Sequence, residues 1–278
     1  MTRPHPLDPL TADELTAGRA ILADEGQLTA TTRFPAVLPV EPDKGDAAPD
    51  RRVQYTLLDT ATGHARDVVV SLTKREVVST EDCGDGQPAY LFEEYDLAAS
   101  ITKASPEWRA AMDRRGLSDR IEHAFCAPLA PGFFGRPDET GRVIRSLTFL
   151  RDDESDSPWA HPVEGLIVHI NLTEQRVIRV EDVGDVPVPP EHGRYGDVPA
   201  RTTLKPIEIT QPEGPSFVVD GNEVTWEGWK LRVGFNAREG LTLHQISFQD
   251  RSVLHRASVP EMVVPYGDTA PGRFWISY

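Results

Sequence analysis

From residue 68 to residue 85 the chain alternates apolar and polar positions, turns, and alternates again, and the same pattern returns 100 residues later. VVVSLTKREVVSTEDCGD at 68–85 aligns without a gap on VHINLTEQRVIRVEDVGD at 168–185, with eight of eighteen positions identical. Val68, Val70 and Leu72, like Val168, Ile170 and Leu172, fall on one face of a strand, and a polar turn and a second short strand follow in each copy. Both copies close on Glu-Asp-x-Gly-Asp, where Asp supplies a side-chain bond and Gly the positive φ of a tight reversal.

Helical pattern precedes the strands of each copy. LTADELTAGRAILADEG predicts an amphipathic helix with a Thr11–Glu14 capping box, Leu15 and Leu22 two turns apart, and Gly26 as a left-handed stop. DLAASITKASPEWRAAMDRRG, within 96–125, predicts helix with Ser105 as cap, Pro106 at the first helical position, and Trp108 one turn from Met112. Residues 34–40 read as a strand whose Pro35 and Pro39 confine it to a sheet edge. VQYTLLDTATGHARDVVVSL at 53–72 reads as two strands joined by a polar turn containing Gly63. The fold class is therefore α+β: two repeated small α+β domains, each a helix on an antiparallel meander. VPVPPEHGRYGDVPARTTLKP at 186–206 reads as a boundary connection. Beyond it, Trp229, Leu231, Val233 and Phe235 alternate, NAREG turns, and Leu241, Leu243, Ile246 and Phe248 change face at a bulge. This third region is too short to cover both faces of its sheet, which predicts exposed apolar strands after residue 207.

Charge narrows the function classes. The formal net charge of −15 repels phosphate backbones and anionic membrane surfaces, which argues against nucleic-acid and membrane partners. No apolar run approaches the length of a membrane span and the start lacks a signal-peptide pattern, so the expected location is the cytoplasm. Cys83 and Cys126 are the only cysteines, read as buried spectators.

Common catalytic motifs are absent, and the eight histidines form no close pair with ligand spacing, so no metal site is expected within this chain. His169 falls in a strand and reads as a satisfied, partly buried histidine rather than a ligand. The acidic run RDDESDSP at 151–158 reads as a solvated loop. Asp268 follows an apolar run and Pro265-Tyr266-Gly267: alone a turn pattern, but flanking aromatics would desolvate the carboxylate and suit it to proton abstraction. A hydrolase built on Asp268 or His192 lacks a nucleophile in a recognisable context.

HPLDPLTADEL, SPWAHPVEGL, RTTLKPIEITQPEGPSF, VGFNAREGLTLHQISF and RASVPEMVVPYGD, in that order along the chain, resemble the copper-dependent, topaquinone-containing primary-amine oxidases. The resemblance implies small domains at 1–92 and 93–203, and at 204–278 the start of a large catalytic β-sandwich. It further implies oxidative deamination of a primary amine to an aldehyde, with ammonia and hydrogen peroxide as products, by a homodimer. Through VPYGD, Asp268 resembles the proton-abstracting base and Tyr266 the gate. Trp159, Pro128 and Leu129 resemble residues of the substrate channel, as does Tyr95. The chain contains neither an Asn-Tyr pair, from which the family makes its quinone, nor the His-x-His pair among its copper ligands. A truncated oxidase, inactive by itself and completed by a C-terminal catalytic segment, is the resulting expectation. A non-catalytic binding module, or one half of a split enzyme, is the alternative.

Overall fold

The computed structural model describes residues 5–46, 49–130, 141–184 and 186–262. Its helices are α1 (Ala12–Asp24), α2 (Phe92–Ala104) and α3 (Pro106–Arg114). Three antiparallel sheets occur among the described residues. The first runs in the order β1 (Thr32–Val40), β2 (Arg52–Asp59), β3 (Ala65–Ser71), β4 (Glu76–Asp82), and the second in the order β5 (Ala124–Leu129), β6 (Val143–Leu150), β7 (Pro162–Asn171), β8 (Arg176–Asp182). A five-stranded sheet joins β9 (Phe217–Asp220), β10 (Glu223–Trp226), β11 (Trp229–Asn236), β12 (Gly240–Phe248) and β13 (Arg251–Ser258) as consecutive hairpins. Two compact units divide these elements: residues 5–84 with Ile207–Met262 form one, and Asp85–Pro206 the other.

The α+β meander predicted for each repeat is present, with β1 on an edge as its prolines require. The two hairpins turn alike, since Arg75 and Gln175 adopt φ of 61° and 52°, and Gly84 and Gly184 φ of 57° and 82°. Local signals set the helix ends. Thr11 Oγ1 accepts the Glu14 amide at 3.2 Å while Glu14 accepts the Thr11 amide at 3.0 Å, closing the capping box. Ser105 ends α2 and caps α3, accepting the Trp108 amide at 3.2 Å, so the second repeat carries two helices where one was expected.

Each repeat buries an arginine on the third residue of its helix. Arg51 Nε and Nη2 meet the Glu14 carboxylate at 2.8 and 3.0 Å, and its guanidinium also donates to the carbonyls of Pro6 and Asp8. Arg142 pairs with Glu94 through both of the same atoms and donates to the carbonyls of Pro88 and Ala89. The hairpins join these arginines equivalently, the amides of Leu72 and Leu172 donating to the carbonyls of Arg51 and Arg142 at 2.9 Å each. A buried ion pair is stable only when its remaining donors are satisfied, and these carbonyls satisfy them.

Apolar cores close both repeats. Ile21, Leu22, Val53, Tyr55, Val68 and Val70 form the first, and Trp108, Met112, Ile144, Leu166, Val168 and Ile170 the second. On α1 Gly18 faces the core with Ile21 and Leu22, and Leu15 is exposed: the Tyr55 ring fills the space a side chain at 18 would take, and its hydroxyl donates to the Leu15 carbonyl at 3.2 Å. Burial pushes the Tyr55 phenol up to about 12.

The third region inverts the usual sheet pattern. Thr242, His244 and Ile246 are buried, while the apolar Phe235 and Leu241, cross-strand partners, are exposed, as are Phe217, Val219 and Trp226. Ion pairs explain the buried face: Arg232 meets Asp8 at 2.7 Å and Arg256 meets Glu41 at 2.8 Å, within the same unit. The predicted bulge in β12 is present at Gln245, whose φ is 52°.

Candidate active-site cleft

A cleft of about 630 Å³ opens in the second unit between α2, β5 and the loop joining β6 to β7. Tyr95 and Ala99 sit one turn apart on α2 and face it together, and β5 contributes Pro128 and Leu129. A single 3-10 turn, Pro158–Ala160, supplies Trp159. Trp159 is 61% exposed yet its ring is fixed: Phe149 and Phe125, paired across β5 and β6, meet it edge-on at centroid distances of 4.8 and 5.8 Å. Tyr95, Pro128, Leu129 and Trp159, singled out in the sequence, thus line one cleft. Asp268 and Tyr266 lie outside the described residues.

Carboxylates outnumber cations on its lining: Asp96, Glu122, Asp152, Asp153 and Glu154 against Lys103 and Arg151. Arg120 holds Asp152 and Arg194 holds Asp153, each at 2.6 Å. Hydrogen bonds from Ser155 and Arg194 lower the Asp153 carboxyl to about 2. Cys126 also lines the cleft, buried, and burial pushes its thiol up to about 11, so it stays protonated and unreactive at neutral pH. Cys83, in contrast to the expectation, is only partly buried.

The acidic loop also departs from its sequence reading. Asp156 is buried, because it accepts the Gly193 amide at 2.7 Å and lies 2.9 Å from His161 Nε2. Residues 189–193 are therefore packed onto this loop rather than running free as a connection. The signal available in the sequence was the spacing in Asp156-Ser-Pro-Trp159-Ala-His161, an acid and a base flanking the tryptophan. His169, expected to be partly buried, is fully buried, with Nε2 2.9 Å from Glu181 Oε1.

No group of three or more His, Cys, Asp or Glu side chains that could hold a metal ion occurs among the described residues. Nor is any described helix long and apolar enough to cross a membrane.

Three family descriptions match the chain in succession: "AGAO-like N2 domain" at 11–80, "Copper amine oxidase, N3 domain" at 93–196, and "Copper amine oxidase, enzyme domain" at 218–278. The chain belongs with the copper amine oxidases, over their N-terminal portion. Histamine oxidase of Arthrobacter globiformis is 43% identical to it across 99% of the chain and 42% of its own length. A primary amine oxidase of an Arthrobacter species is 42% identical across 96% of the chain and 43% of its own length. The peroxisomal diamine oxidase 1 of Nicotiana tabacum is 31% identical across 95% and 41%. Among solved structures, the copper-containing benzylamine oxidase of Hansenula polymorpha superposes with a TM-score of 0.78 at 22% identity, covering 96% of the chain and 46% of that structure. That likeness establishes the shared fold of these amine-oxidase domains. The chain spans about two fifths of the length of the curated relatives it matches.

Proposed function

We propose that the chain forms the front portion of a copper- and topaquinone-dependent primary-amine oxidase, and that its cleft is part of the channel by which the amine enters. One observation carries this reading: Tyr95, Pro128, Leu129 and Trp159, drawn from three separate elements, line a single cavity. The chemistry suits an ammonium ion, which a fixed indole face attracts by cation–π contact and which the excess of carboxylates favours over a neutral or anionic ligand. The names of the relatives, histamine oxidase and diamine oxidase among them, support an amine as substrate.

On this reading a primary amine is oxidised to an aldehyde with release of ammonia and hydrogen peroxide. Asp268 removes the proton from the carbon bearing the amine, and Tyr266 gates access. The described residues do not fit a copper site, so no step through the metal is assigned to them. The domain limits 1–92, 93–203 and 204–278, a homodimer and a cytoplasmic location belong to the same proposal; each expected domain contains one of the three family matches. The exposed apolar face of the third sheet supports a further catalytic segment as the partner that covers it.

Calorimetric titration of the chain with 2-phenylethylamine and with 2-phenylethanol tests the reading. The amine is expected to bind and the alcohol to bind at least about tenfold more weakly, since it forfeits the cation–π and carboxylate terms. Equal affinity, or no binding of the amine, contradicts it. In a peroxidase-coupled assay with added copper, the 278-residue chain is expected to give no amine-dependent peroxide.

A further inference from the structure

Asp156 and His161 flank Trp159 in sequence, and both are buried. His161 Nε2 lies 2.9 Å from Asp156 Oδ2, out of hydrogen-bond alignment, while Nδ1 lies 2.9 Å from the Pro189 carbonyl oxygen. A carbonyl and a carboxylate only accept hydrogen bonds. Nδ1–H therefore donates to the Pro189 carbonyl and ties the histidine to residue 189.

Asp156 makes the second tie to the same segment. Its Oδ1 accepts the Gly193 amide at 2.7 Å and its Oδ2 the Asp152 amide at 3.3 Å. Burial pushes this carboxyl up, but the two amides and the histidine outweigh burial and hold it below the ordinary aspartate value. Arg115 and Arg120 share a cavity of about 350 Å³ with His161, and both are engaged elsewhere, pairing with Asp182 and Asp152 at 2.6 Å each. Gly193 completes the contact. A Cβ there would lie 2.7 Å from Ser157 Cβ and 3.0 Å from Ala160 Cβ, so the backbone at 193 is seated directly on the turn that carries Trp159.

We propose that Asp156 and His161 are positioning residues: a carboxylate–histidine clasp, Asp156 to the Gly193 amide and His161 to the Pro189 carbonyl, that locks the Pro158–Ala160 turn to residues 189–193 and so fixes Trp159 against Phe125 and Phe149. Its consequence for amine binding rests on the channel reading above; the clasp itself is testable without an amine.

The test uses nitrogen-15 NMR of the whole chain. The ring nitrogens of His161 are assigned by their loss in His161→Gln, and Nδ1 is expected to carry the proton donated to Pro189; a ring without a proton on Nδ1 overturns the proposal. The indole N–H of Trp159, assigned by its loss in Trp159→Phe, is expected to shift and broaden in His161→Gln and in Asp156→Asn. The Trp108 indole, buried in the core and donating to Thr148 Oγ1 at 2.9 Å, should stay in place and reports that the fold is intact. Should either variant lose the Trp108 signal, Gly193→Ala disturbs the same seat without removing a charge, and is expected to move Trp159 alone. An unmoved Trp159 in variants that keep the Trp108 signal overturns the clasp. Affinity for 2-phenylethylamine is expected to fall roughly tenfold in His161→Gln, as misplaced contact groups lose binding geometry. A displaced Trp159 in a protein whose native form binds no amine supports the clasp and refutes the channel.

Discussion

The first repeat and the second share a scaffold, and beyond the second repeat's extra helix they differ in the connection between their middle strands. In the first, residues 60–64 join β2 to β3; in the second, residues 151–161 join β6 to β7 and carry Asp152, Asp156, Trp159 and His161. The hairpins, the helix-capping glutamates and the buried arginines recur in both. The longer connection, braced by residues 189–193, contributes Asp152, Asp153, Glu154 and Trp159 to the wall of a cleft. Duplication supplied architecture here, and the added loop supplied the candidate chemistry.

Removing the glutamate from each buried pair gives the largest expected effect. Glu94→Gln strands Arg142, whose side chain is 2% exposed, and should destabilise the protein by about 3–5 kcal/mol in urea denaturation. Glu14→Gln should cost less, because the Arg51 and Glu14 side chains are 9% and 14% exposed and water can partly replace the carboxylate. Equal or reversed effects would break the inference that the same device is more deeply buried in the second repeat.

A swap between the repeats is next in size. Gly165 stands where the first repeat has Ala65, and their carbonyls accept equivalent bonds from Val183 and Cys83. Yet Gly165 has φ of 73°, and a Cβ there would fall 1.8 Å from the Val183 carbonyl oxygen. Gly165→Ala should therefore lose about 2 kcal/mol or more, although it restores the residue of the other copy. A neutral result would show that the backbone relaxes to the geometry of the first repeat.

Acid should weaken both repeats. Burial pushes the carboxyls of Glu14 and Asp182 up, but hydrogen bonds from Arg51 and Thr11 to the first, and from Arg114 and Arg115 to the second, leave both below their ordinary values. A carboxyl lowered by folding contributes stability above its unfolded value, and this is lost as pH falls through the folded value. Stability should therefore decline below the ordinary glutamate value of 4.5, and the decline should be shallower in Glu14→Gln. Smallest of all, Arg75→Gly and Gln175→Gly should each stabilise by at most about 1 kcal/mol, alike in the two repeats, by relieving a positive φ.

Much of the scaffold was legible because its signals are local. The capping box spans Thr11 to Glu14, the paired turns carry identical Glu-Asp-x-Gly-Asp residues, and prolines mark the edge strand. The buried pairs were not legible, since Arg51 and Glu14 are 37 residues apart and Arg142 and Glu94 are 48. In the cleft, four residues came from resemblance alone, and the structure groups them. Asp156 escaped notice because an acidic run signals solvation, whereas its burial depends on the distant Gly193 amide.

The direct test of the central claim is a nitrogen-15 NMR titration of the chain with 2-phenylethylamine. Saturable shifts at the Trp159 indole and at residues 151–161, with none at residues 60–64, are the predicted result. Shifts absent from Trp159, or equal in the two connections, would contradict the assignment of amine binding to the second repeat.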